Sequence, residues 1–173
     1  MRWNELATEP CSLARSVAVI GDRWTLMILR DCFLGVRRFE DFQARLGISR
    51  TITAARLKGL VDEGVLKKVA YQDNPLRFDY RLTDKGLDLY PVIMAVVSFG
   101  DRHYAGQQGQ DGAGPPLTHR HKACGCDFHP VMTCSECHAP LGARDVETRA
   151  GPGARARQGE METISPVRRA LSD

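Results

Sequence analysis

Apolar residues recur at helical spacing through the first sixty-odd positions, then give way to strict two-residue alternation. Residues 12 to 34 read as two helices broken near Gly21-Asp22. Ser12 is placed to cap the first, whose apolar positions include Leu13, Val17 and Ile20. Asp22 is placed to cap the second, where Trp24, Met27, Ile28 and Leu34 form an inward stripe. Trp24 is expected to anchor the core, because so large an apolar surface at helical spacing normally goes inside. Gly35 ends that helix, and a short one follows from about Phe39 to Leu46. After a turn at Gly47, Ser49 is a good N-cap for the next, in which Thr53, Leu57, Leu60 and Val61 share an inward face up to Gly64.

The period then changes. VLKKVAY, QDNP and LRFDYRLT read as strand, turn and strand, with Leu76, Phe78, Tyr80 and Leu82 alternating against Arg77, Asp79 and Arg81. Asp73-Asn74-Pro75 supplies turn residues. Thr83 and Asp84 look like the cap of a further helix, Asp84 to Tyr104, carrying Leu87, Leu89, Tyr90, Ile93, Met94, Val97 and Phe99. Pro91 lies inside that pattern and is expected to kink it. So apolar a helix at the periphery predicts a partner subunit. A short helix, a turn, a second helix and a hairpin make a winged helix-turn-helix, whose usual partner is duplex DNA.

In that fold the helix after Gly47 enters the major groove. Thr51, Ala55, Lys58 and Asp62 fall opposite its inward face, with Arg50 and Arg56 on the flanks and Ser49 at its start. Short side chains with Arg or Lys within reach of base edges suit such a helix. Lys67, Lys68 and Arg77 are expected to line the hairpin near the phosphates, with Arg37 and Arg38 adding charge. Residues 37 to 83 hold ten basic side chains against six acidic ones, while the whole chain carries only +3. The positive charge is therefore concentrated where the fold would meet DNA.

From Ala105 the chain changes character. Gly, Gln and Pro dominate to Thr118, which reads as a linker over 107–118 between a DNA-binding and dimerisation domain (9–106) and a Cys-rich module (119–147). Of six cysteines, Cys124, Cys126, Cys134 and Cys137 crowd together, and in a reducing compartment such a cluster points to metal before disulfides. Two turns that each present two ligands suit one structural zinc in a small zinc-ribbon-like module. Cys124, Cys134 and Cys137 are the expected ligands, with Cys126 taken ahead of His121 for the fourth place. His119, His129 and His138 keep that place open. Residues 148–173 are polar, Gly-rich and mixed in charge, and read as a disordered tail.

The fold class is thus mainly α with a small β-hairpin, plus the Cys-rich module. No apolar run approaches the roughly 20 residues of a membrane span, and the N-terminus lacks a secretory apolar core, so the expected location is the cytoplasm. Cys134-x-x-Cys137 also suits a thiol redox enzyme, but that pair belongs at a strand-to-helix junction and nothing here supplies one. A protein-interaction adaptor built on the winged helix is a further alternative. No phosphate loop, hydrolase triad or carboxylate pair is present, so a non-enzyme is expected.

The runs CSLARSVAVIGDRWTLMILRD, RRFEDF, GISR, RLKGLVDEGVL and YRLTDKG resemble the HxlR-type family of bacterial transcriptional regulators. The resemblance covers about residues 9 to 106, with the motifs in the family's order. It implies a winged-helix homodimer on a roughly two-fold symmetric operator, and the first functional reading is a sequence-specific repressor that occludes a promoter. It also implies an interface between the N-terminal helices and the long helix after the wing. Cys11 falls where some members carry a redox- or electrophile-sensing thiol, and Arg15 lies one turn on.

Overall fold

A computed structural model describes residues 3–105, 114–149 and 151. After a 3-10 turn at Trp3–Thr8, the chain forms α1 (Ser12–Ile20), α2 (Arg23–Phe33), α3 (Phe39–Leu46) and α4 (Arg50–Asp62). The hairpin β1 (Leu66–Asp73) and β2 (Leu76–Leu82) follows, then α5 (Asp84–Leu87) and α6 (Tyr90–Tyr104). The Cys-rich module adds β3 (His119–Arg120) and β4 (Asp127–Phe128), paired antiparallel. This is the winged helix-turn-helix that the periodicity predicts.

Local chemistry sets most of the boundaries. Asp22 accepts hydrogen bonds from the backbone N–H groups of Trp24 (3.0 Å) and Thr25 (3.2 Å), capping α2. Ser49 accepts from Ile52 N–H at 3.3 Å and so starts α4. Gly47 ends α3 at φ 62°, a left-handed conformation that glycine takes without a Cβ clash. The first helix differs from expectation. Its N-cap is Cys11, which makes no side-chain capping bond, and Ser12 is already its first residue.

One apolar cluster joins Ile20, Ile28, Leu29, Phe42, Leu57, Leu60, Val65, Leu66 and Ile93. Five expected inward positions, Leu13, Val17, Trp24, Met27 and Leu34, lie outside it. Leu13 is 72% exposed and Leu34 47%, while Trp24 is half-buried at the surface with the Arg23 guanidinium 4.9 Å from its ring. The true inward stripe of α2 is Thr25, Ile28, Leu29 and Asp31, one step round from the stripe headed by Trp24. Asp31 is fully buried, and Arg30 Nη2 (2.6 Å) and Arg45 Nε (3.3 Å) compensate its charge. Arg45 reaches it from α3, so this carboxylate fastens the first helix of the motif to the helix before it.

The wing pairs Leu66 with Leu82, Lys67 with Arg81 and Lys68 with Tyr80, and its register slips between Ala70 and Gln72. Cross-strand partners share a face, so Lys67 and Lys68 point to opposite sides of the hairpin. The apolar alternation on β2 fades at the tip, where Leu76 is 58% exposed. Tyr80 N–H donates to the Arg37 carbonyl (2.7 Å), and a bridge pairs Arg38 with Asp79, so the segment before α3 edges the sheet.

The helix after the wing is not continuous. Thr83 caps α5 by accepting from Gly86 N–H (3.1 Å), the chain turns at Asp88-Leu89, and Pro91 sits in the first turn of α6. Pro91 therefore opens a helix instead of kinking one, which suits a residue without an N–H. The start of α5 is tied to the end of α4. Thr83 Oγ1 donates to the Gly64 carbonyl (2.6 Å), and Lys85 Nζ to the Glu63 carbonyl (2.6 Å). At Gly86 a Cβ would stand 2.3 Å from the Val65 carbonyl oxygen. Replacing Gly86 with Ala is expected to lower stability in urea unfolding by about 1–3 kcal/mol. At Gly59, within α4 and with nothing within 4 Å of a new Cβ, the same change should raise stability by about 0.5–1 kcal/mol.

Candidate nucleic-acid interface

The outward surface of α4 follows from which residues the core claims. Thr53, Leu57 and Leu60 are buried, leaving Thr51, Ala55, Lys58 and Asp62 on the opposite arc. Thr51 and Ala55 are short, so that arc can approach a groove floor closely. Lys58 pairs with Asp62 one turn on, which directs it toward the C-terminal end of the helix.

The flanking arginines are engaged. Arg50 lies 5.0 Å from the Phe39 ring of α3, and Arg56 Nε stands 3.0 Å from Asp22 Oδ1. The carboxylate that caps α2 therefore also holds the flank of α4. Arg56 acts on the angle between these helices as well as lying near the expected DNA surface. Trp24 and Ile52 line the same cleft with Arg56 and Asp22. Helical spacing alone assigns Trp24 to the core; the adjacent Arg23 is the signal for a surface role.

On the wing, Lys67 and Arg77 carry no ion pair or ring contact among the described residues, and both are exposed. They lie on the face shared with Arg81, whose charge is partly satisfied by Asp79 (3.2 Å). Lys68 instead lies over Phe78 (5.7 Å) and Tyr80 (5.9 Å). Its ammonium is spent on aromatic faces on the other side of the hairpin. Arg38 stacks on Tyr71 at 4.6 Å, next to the register slip, while Arg37 is exposed at the edge of the sheet. The expected contacts thus divide into Thr51, Ala55, Lys67, Arg77 and Arg37, which are open, and Arg38, Arg50, Arg56, Lys58 and Lys68, which are held. Ser49 is occupied as a cap.

The cysteines divide as clearly. Cys11 is exposed at the start of α1, whereas burial, and secondarily the neighbouring Asp31, push the Cys32 thiol up to about 12. In the Cys-rich module, backbone N–H groups of Cys137 and Glu136, with the Cys137 side chain, hold the Cys134 thiol below its ordinary value. His121 Nδ1 lies 3.3 Å from Cys124 Sγ, and Cys126 Sγ lies 3.7 Å from the Cys124 carbonyl. Among the described residues, no three His, Cys, Asp or Glu side chains stand close enough to hold one ion. No helix there is long and apolar enough to cross a membrane. Of the expected tail (148–173), residues 150 and 152–173 lie outside the described residues, as do residue 106 and residues 107–113 of the linker.

A winged helix with a cationic wing beside an open second helix defines a DNA-binding protein of the helix-turn-helix type. The HxlR-like helix-turn-helix family model matches residues 19–108. The chain belongs to that family, and so to the helix-turn-helix transcriptional regulators. The HTH-type regulator Rv3095 of Mycobacterium tuberculosis (strain ATCC 25618 / H37Rv) is 38% identical over 84% of this chain and 89% of its own length. Among solved structures, PA1607, a candidate transcription factor, superposes with a TM-score of 0.71 at 31% identity over 84% of this chain and 98% of its own. PA1374 from Pseudomonas aeruginosa gives 0.57 at 34% identity, over 84% of this chain and 96% of its own. These matches extend well past the family model and into the Cys-rich module.

Thiol labelling provides a direct check on the burial assignments. A thiol titrating near 12 is neutral at pH 8, with only about one part in ten thousand as thiolate. Iodoacetamide at pH 8 should modify exposed Cys11 within minutes and leave Cys32 unmodified until the chain is unfolded, as read by peptide mass spectrometry.

Proposed function

We propose that this regulator is a cytoplasmic, homodimeric repressor that occludes a promoter by binding a two-fold symmetric operator. The observation that carries the reading is a stripe of unpartnered apolar side chains on α6. Val92 (42% exposed), Val96 (53%) and Phe99 (56%) follow one another at helical spacing, and the Phe99 ring contacts Tyr104 and His103. Exposed Leu13 on α1 supplies the same chemistry from the N-terminal helices. An apolar face on a terminal helix needs cover, and a two-fold axis lets the same stripe cover itself. The dimer then offers two copies of α4 to successive major grooves on one side of the duplex.

Within each half-site, Thr51 and Ala55 lie against base edges while Lys67 and Arg77 grip phosphates flanking the groove. Ser49 and Arg50 bring the start of α4 to the backbone. Arg56 holds that helix against Asp22, and Lys58 reaches beyond Asp62 toward the phosphates. The reading gives the chain no catalytic step.

Footprinting on the promoter DNA flanking the chain's own coding region should reveal a protected sequence with two-fold symmetry. Lys67→Ala and Arg77→Ala should each weaken binding and lower the salt slope of log K by about 1 per contact removed, with the protected sequence unchanged. Absence of binding to any DNA at low salt would favour the adaptor instead. The dimer has its own check. Val96→Glu should halve the mass seen by analytical ultracentrifugation and weaken operator binding by at least about tenfold, with helix content retained.

A further inference from the structure

The Cys-rich module repeats itself in a way that cysteine spacing does not reveal. In its first turn, His121 N–H donates to the Cys126 carbonyl (2.9 Å) and Gly125 N–H to the His121 carbonyl (2.8 Å). In its second, Cys134 N–H donates to the Ala139 carbonyl (2.9 Å) and His138 N–H to the Cys134 carbonyl (2.9 Å). The two turns therefore have one hydrogen-bond pattern. Their fifth residues share a left-handed backbone as well, Gly125 at φ 71° and His138 at φ 58°. His138 is the one non-glycine residue of this kind among those described, and such a conformation costs of order 1–3 kcal/mol. The turn is thus imposed by its hydrogen bonds and not by local preference.

Aligning the two turns sets His121 against Cys134 and Cys124 against Cys137. Cys126 falls opposite Ala139, which has no ligand atom in its side chain. We propose that the module binds one zinc ion through His121, Cys124, Cys134 and Cys137, with Cys126 outside the coordination sphere. Zn–S bonds of about 2.3 Å and Zn–N bonds of about 2.0 Å at a tetrahedral angle put nitrogen and sulfur ligands about 3.5 Å apart. His121 Nδ1 and Cys124 Sγ already stand 3.3 Å apart. Cys126 Sγ points instead to the Cys124 carbonyl.

The module also needs the ion. Among its described residues none is buried, and Val131, Met132 and Val146 are each more than half exposed. Two strands of two residues cannot hold some thirty residues together without a core, and a metal can. Each turn here presents its ligands as a pair, and zinc binding includes closure of the two pairs on one another through the segment between them.

The test uses the full-length chain purified under reducing conditions, with zinc measured by plasma mass spectrometry and by competition with a chromophoric chelator. Wild type should hold one zinc per chain. Cys126→Ser should hold one zinc with unchanged affinity, while His121→Ala and Cys134→Ser should bind at least about a hundredfold more weakly, beyond the loss an outer-shell partner causes. Cobalt substitution gives a second readout that tracks ligand type: thiolate-to-cobalt charge-transfer intensity should be equal in wild type and Cys126→Ser and lower in Cys124→Ser. Circular dichroism of each variant should show the helix content of wild type. Zinc lost in Cys126→Ser but kept in His121→Ala would overturn the proposal in favour of four thiolates. Wild type that holds no zinc, or one zinc shared between two chains, would overturn it too.

Discussion

A single buried carboxylate governs how the DNA-binding motif is built. Asp31 has no exposure to solvent, and its charge is tolerable only because Arg30 and Arg45 meet it from two helices. Removing one partner of such a pair typically costs about 3–5 kcal/mol, since the remaining charge stays buried. Both arginines keep part of their surface in water, which softens their own desolvation but not that of Asp31. Geometry follows from this pairing. It fixes α3 against α2, and Gly47 and Ser49 then leave α4 one route out of the turn. Asp22 adds a second constraint by capping α2 and holding Arg56 on α4. The pose of the recognition helix thus depends on two carboxylates belonging to the helix before the motif.

The local parts of this structure were legible in the sequence. Ser49, Asp22 and Thr83 as caps, Gly47 as a helix stop and Asn74-Pro75 as a turn are decided by a few neighbouring atoms, and each stands where the residues place it. Depth was less legible. Periodicity tells which residues share a face but not how far that face sinks, so it points to Trp24 and Leu34 where the core takes Thr25, Leu29 and Asp31. A buried Asp is unreadable from its own position, because one of its two partners, Arg45, lies fourteen residues away.

The interface shows the same division. A count of basic residues treats ten cations alike, yet seven of them meet Asp22, Asp31, Asp62, Asp79 or an aromatic ring. Lys67 and Lys68 look equivalent as neighbours in sequence, and the pleat sends them to opposite faces. In the C-terminal module, spacing between cysteines treats every thiol alike, whereas the backbone pattern separates Cys124 from Cys126. What a side chain can do is settled by the direction in which the main chain releases it.

The clamp between the end of α4 and the start of α5 has a mechanical meaning. Thr83 and Lys85 donate to the carbonyls of Glu63, Gly64 and Val65 in the turn between α4 and β1, and Gly86 packs closely against the last of them. Only the two-residue turn at Asp88-Leu89 then separates this joint from α6. The reading head and the helix that carries the exposed apolar stripe therefore form a short, stiff lever. In a dimer, a few degrees of rotation at α6 would reach the groove-facing helix almost undamped. The distance between two such heads is then a mechanical variable of the subunit contact, adjustable without touching a single DNA-facing residue.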